Sequence, residues 1–111
     1  MNRITLEEVQ EAYKITGAKP KARIPMIRYN KDEIYCCGAG VLAFKYIGDG
    51  MRYLGATMEY LTKKYTEQYI LGFTNGFDDT DIYYLKDKFE NPEFKAGYDD
   101  GLAIGKAIFH D

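Results

Sequence analysis

The sequence predicts an all-α (mainly) fold, a compact single domain over residues 1–111 built from five or six short helices. Three observations predict it. Tyr69, Gly72, Phe73, Gly76 and Phe77 set rings and glycines at steps of three and four, and Phe94, Gly97, Tyr98, Gly101 and Leu102 repeat that spacing, with Gly105 one turn further on. Residues so spaced share a helix face, so each copy reads as a helix with a glycine groove beside an aromatic ridge. Two such faces can cross closely, because glycine lets the backbones approach. The second observation is Tyr35–Ile47, whose only charge is Lys45; a helix apolar nearly all round belongs at the centre of a fold. The third is a set of helix starts: Thr5 three residues before Glu8, Thr66 before Glu67, and Asn91 followed by Pro92 and Glu93.

In chain order, Leu6, Val9, Ala12 and Tyr13 form the stripe of a first helix that Gly17 stops. Residues 18–31 carry Lys19, Lys21, Arg23, Arg28 and Lys31 without an acid and are broken by Pro20 and Pro25. They predict an extended or looped connector with a short strand at Met26–Tyr29. The central helix follows over about 35–47, its approach capped by Asn30 or Asp32, with Gly48 and Gly50 ending it. A third helix is expected over Met51–Lys64, burying Leu54, Met58, Leu61 and Tyr65, with Lys63 and Lys64 at its C-terminal end. The first glycine copy spans about 66–77 and the second about 92–109, a pair related by approximate twofold symmetry within one chain or between two. The residues joining them, 78–90, read as a short helix capped by Thr80 or as an ordered loop.

Composition narrows the function. Hydrophobic residues make up 46% and charged residues 29%, which excludes disorder. No run approaches the roughly eighteen apolar residues of a membrane span. Glu7, Glu8 and Glu11 occupy positions where a signal peptide needs an apolar core. Two adjacent cysteines make no disulfide framework, so the expected setting is cytoplasmic. The net charge of -2 conceals a split: eleven basic and seven acidic residues up to Lys64, then four basic and ten acidic from Tyr65. Such halves suit pairing within one molecule, between copies, or with a charged partner, and the balance disfavours nucleic acid.

Candidate chemistry is sparse. Cys36 and Cys37 stand where a helix begins, a place that lowers a thiol pKa, which raises a redox or nucleophilic role. The sole histidine, His110, is a poor general base at the chain's end, and three Cys and His residues are too few for zinc. Asp78, Asp79, Asp81, Asp99 and Asp100 are the candidates for calcium or a small ligand, though their spacing lacks the calcium-loop pattern. No phosphate-loop or dinucleotide fingerprint is present, and no cofactor is expected. The favoured expectation is a small non-enzymatic binding protein, associating with another protein or with itself as a homodimer. Tyr69, Phe73, Phe77 and Tyr98 on the helix faces, with Arg23 and Arg28 in the connector, are its candidate binding residues.

Overall fold

The structure, a computed structural model, describes residues 1–48 and 55–110. It is mainly helical, as expected, with a small three-stranded sheet at one side. Helix α1 (Leu6–Thr16) starts at Thr5, whose hydroxyl accepts from the Glu8 N–H at 3.2 Å, and ends at Gly17 in the left-handed conformation. Its stripe of Val9, Ala12 and Tyr13 is buried.

Strands β1 (Lys19–Pro20), β2 (Ile27–Asn30) and β3 (Glu33–Cys36) follow, arranged in the order β1-β3-β2. β1 pairs with β3 in parallel, and β2 with β3 as an antiparallel hairpin. The hairpin turn is fixed by Asn30, whose side-chain oxygen accepts from the N–H groups of Asp32 and Glu33 at 2.9 and 3.0 Å. Asn30 and Asp32 therefore cap no helix, a correction to the sequence reading. Tyr35 and Cys36 belong to β3, not to the central helix.

That helix, α2, runs over Gly38–Ile47, with Cys37 as its cap and every residue from Gly38 to Phe44 buried. The small residues admit close neighbours: a Cβ on Gly40 would collide with the Pro25 carbonyl, and one on Gly38 would lie 2.8 Å from the Phe77 ring. Helix α3 is short, Ala56–Leu61, closing at Thr62, so Lys63 and Lys64 lie beyond it. Of the expected third helix, 51–54, including Leu54, lie outside the described residues, as does Gly50.

Helices α4 (Glu67–Phe77) and α5 (Pro92–Phe109) make the most extensive contact in the fold. A Cβ on Gly72 would run into the Phe94 carbonyl and one on Gly97 into that of Tyr69. Gly76 faces the Tyr98 carbonyl and Gly101 that of Phe73. Partners climb together along both helices, so the pair is parallel, and their reciprocal exchange gives an approximate twofold along the common direction. The pairing forms within one chain. Where side chains are missing, a Cα hydrogen is aimed at a carbonyl of the other helix, the arrangement of weak Cα–H···O contacts and of closely packed glycine helices generally. Phe73 and Tyr69, both 0% exposed, close the seam on the core side; burying each ring contributes about 2–3 kcal/mol.

A parallel pair needs a connection that returns the length of the first helix. Residues 78–91 supply it. Asp81, rather than Thr80, caps a 3₁₀ segment over Ile82–Glu90 through the Tyr83 N–H at 2.9 Å. Leu85 and Phe89 seat it on Phe94 and Tyr98, the Phe89 ring lying edge-on to both. No helix among the described residues is long and apolar enough to cross a membrane.

Candidate binding surface

The sheet sorts its side chains by the alternation of strands. Cys36 and Ile34 lie towards the core, Cys36 fully buried. Tyr35 projects from the opposite face together with its register partners Lys19 of β1 and Ile27 of β2. Tyr29, two residues beyond Ile27, joins that face, its ring edge-on to Tyr35 with centroids 5.6 Å apart and itself 59% exposed. The Lys19 and Lys21 ammonium groups lie 5.9 and 5.8 Å from the Tyr35 centroid, within cation–π range. The result is an exposed tyrosine, Tyr29, set against a half-buried one, Tyr35, with two lysines beside the latter.

Behind this face the chain is pinned to the helical body. Lys21 N–H donates to the Cys36 carbonyl, Cys37 N–H to the Ile24 carbonyl, and Arg23 N–H to Asp78 Oδ1 at 2.7 Å. Arg23 takes φ 71, a left-handed conformation that costs a non-glycine residue about 1 kcal/mol or more, and the Asp78 contact holds it. Tyr13, buried beneath the sheet, donates to the Cys36 carbonyl at 2.8 Å.

No protein-family model matches the chain, and neither a curated protein nor a solved structure shows significant similarity to it.

The residues singled out from the sequence separate into two groups. Tyr69, Phe73, Phe77 and Tyr98 are all within the core, at most 3% exposed, and so present no face to a partner. Their aromatic ridge packs against the chain's own helices. Arg23 is exposed beside the sheet and Arg28 is exposed on β2. Sequence reasoning missed Tyr35 and the face it shares with Lys19 and Tyr29; the available signal was the alternation of Ile27 with Tyr29 and of Ile34 with Cys36.

The acids do not converge. Among the described residues no group of three or more His, Cys, Asp or Glu side chains comes together as a metal site. Asp78 binds Arg23 N–H, Asp81 caps the 3₁₀ segment, Asp99 pairs with Lys95 at 3.2 Å, and Asp100 takes a two-pronged contact from Arg3. Asp79 is exposed and, like Arg23, has positive φ. The thiols also differ from the helix-start expectation. Burial, reinforced by the neighbouring sulfur, pushes Cys36 up to about 12. Burial likewise pushes Cys37 up to about 11, although the Gly40 N–H on its sulfur works the other way. Desolvation outweighs the helix dipole here.

A cleft of about 310 Å³ also opens between α1, α2 and α3, lined by Glu8, Glu11, Lys45, Tyr46, Tyr60 and Lys64 among others. Tyr46 and Tyr60 stack at 5.2 Å, with the Lys64 ammonium 4.6 Å from the Tyr46 centroid. Its two lysines are matched by two glutamates, Lys45 lying 4.0 Å from Glu11, so it exerts little net pull on a charged ligand.

Proposed function

We propose that this protein works by binding rather than by catalysis, and that it takes a protein partner on the basic face of its sheet. The observation that carries the reading is the exposed Tyr29 ring set edge-on to the half-buried Tyr35, with Lys19 and Lys21 over the Tyr35 ring. Tyrosine supplies a large contact area at low conformational cost and is enriched at interface centres. The surrounding cations steer an acidic partner towards it. The hairpin turn and the Asp78 contact fix the face before a partner arrives, which lowers the ordering cost of association. The acid-rich second half offers a complementary surface on another copy, so self-association is one form this reading takes.

A photo-crosslinking side chain placed at Tyr29, in the cells that make the protein, tests it. The expected result is a discrete adduct that weakens in a Lys19→Glu, Lys21→Glu background. The same probe at Tyr84, exposed on the far 3₁₀ segment, should give none. An adduct of twice the chain mass identifies the self-associated form. Absence of any adduct at Tyr29, or equal adducts at both sites, would overturn the reading.

A further inference from the structure

We infer that the cleft between α1, α2 and α3, a site separate from the sheet face, binds a small primary alkylammonium ion, and that the chain's own Lys64 side chain stands in for that ligand. The cleft holds about 310 Å³, the small end of the range for ligand pockets. Its lining sorts into three kinds of surface. Leu42 and Leu61, both buried, supply an apolar part that suits a short alkyl stem. Tyr46 supplies an aromatic wall, and Glu8 and Glu11 supply carboxylates. An alkylammonium is attracted by all three at once, through the ring face, the acids and the contact of its stem with apolar carbon.

Lys64 marks where such a group goes. Its Nζ lies 4.6 Å from the Tyr46 centroid, within cation–π range. It lies 5.6 Å from the Tyr60 centroid and is hydrogen-bonded to the Tyr60 side chain, so it sits off the hydroxyl end of that ring rather than over its face. The hydroxyl needs an N–H to accept from, which a primary ammonium has and a quaternary one lacks. The Lys64 pKa is raised, first by that Tyr60 hydrogen bond, with the Glu8 charge adding a smaller part; the position favours a charged nitrogen. Glu8 is itself held by a 3.3 Å bond from the Tyr65 hydroxyl.

The same lysine can leave. Its main chain is fixed, the N–H donating to the Leu61 carbonyl at 3.0 Å and the carbonyl accepting from the Asn2 side chain at 2.9 Å. Its side chain is not so held: the residue is exposed and lies past the end of α3. Displacement therefore moves one side chain and restores its rotamer freedom. It also changes the charge balance. Lys45 lies 4.0 Å from Glu11, so with Lys64 turned out the Glu8 charge is left for a cation to match. While Lys64 stays in, it competes at the high effective concentration of a tethered group. It thereby sets the ammonium concentration at which the site fills.

n-Butylammonium, the Lys64 side chain cut free, is the probe, titrated into the full chain at constant ionic strength and followed by amide NMR. The expected result is saturable shifts at Leu42, Lys45, Leu61 and Tyr65 in Lys64→Ala, with binding about tenfold or more weaker in the parent. n-Butanol, similar in size but uncharged, should give none. Lys63→Ala, at an exposed residue outside the lining, should bind like the parent. In the Lys64→Ala background, Tyr46→Ala and Tyr60→Phe should each weaken binding about fivefold or more, with circular dichroism checking that every variant folds. Binding that Lys64→Ala leaves unchanged or weakens would overturn the self-occupied site. Equal binding of n-butanol, shifts confined to other parts of the chain, or no saturable response in Lys64→Ala would overturn the site altogether.

Discussion

Tyr69 Oη donates a 2.5 Å hydrogen bond to Asp100 Oδ2 while accepting one at 2.8 Å from the N–H of Ile4. One phenol thereby joins α4, α5 and the segment before α1, and Arg3 closes the set with bonds of 2.9 and 2.7 Å to the same carboxylate. Tyr69→Phe keeps the ring in the core but leaves the buried Ile4 N–H without its acceptor and Asp100 Oδ2 with only its Arg3 bond. The expected loss is about 1–3 kcal/mol, read as a lower urea midpoint with an unchanged slope.

Asp100 and Asp78 should respond to pH in opposite senses. Partial burial works against the Asp100 charge, but hydrogen bonds from Arg3 and Tyr69 and the guanidinium charge outweigh it, so its pKa is lowered. Its stabilisation is present above the unfolded value of about 4 and is lost as pH falls through the lower folded value. Asp78 is raised, chiefly by desolvation, with Arg23 opposing. Its contribution is full below about pH 4 and is lost as pH rises through the raised folded value. Asp100→Asn should therefore cost most near neutrality, the deficit shrinking towards pH 3. Asp78→Asn should compare best with the parent near neutrality and lose that advantage in acid. Urea titrations of both variants across pH 3–7 check the signs.

Substitutions along the helix seam should split sharply. Gly72→Ala, Gly76→Ala, Gly97→Ala or Gly101→Ala drives a methyl into main chain of the opposite helix; each should cost about 3 kcal/mol or more, or prevent folding. At Gly105 the added carbon would lie 3.0 Å from the Phe77 carbonyl. There the helix propensity of alanine, worth about 1 kcal/mol over glycine, offsets the crowding, and Gly105→Ala should remain within about 1 kcal/mol of the parent. Thermal melts of the series suffice. Equal tolerance at all five sites would contradict the seam.

Both thiols should resist labelling at neutral pH in the native state, since they are 0% and 3% exposed and their pKa values are pushed upwards by burial. Labelling with a chromogenic disulfide should reach two equivalents only as urea unfolds the chain. Rapid modification of either cysteine in the folded protein would return the thiol reading to consideration.

The helix pair was legible because a row of glycines at helical spacing has no use in an isolated helix, where each costs about 1 kcal/mol relative to alanine. Close packing is what repays such a row. Its direction was not legible: steps of three and four read alike in parallel and antiparallel pairs, and only the return path over 78–91 settles the matter. The sheet was half visible. Met26–Tyr29 suggested a strand, but Tyr35 and Cys36 run directly into a helical pattern, and a four-residue strand is too short to establish its own period. Tyr69 and Tyr98 illustrate the limit for sites: a tyrosine stripe looks the same whether it faces a partner or the protein's own core, and here both rings are buried.

The glycine seam has a mechanical consequence. Side-chain packing can relax through rotamer changes, but carbonyls set against bare Cα positions at Gly72, Gly76, Gly97 and Gly101 have no rotamers to change. The two rods can neither slide nor roll past one another without separating, so the half of the chain they form acts as a stiff keel. Adjustment when a partner arrives falls instead to side chains on the sheet face such as Lys19, Lys21 and Tyr29, whose backbone is held by the Asn30 turn, the Lys21–Cys36 and Cys37–Ile24 main-chain bonds and the Asp78 contact with Arg23.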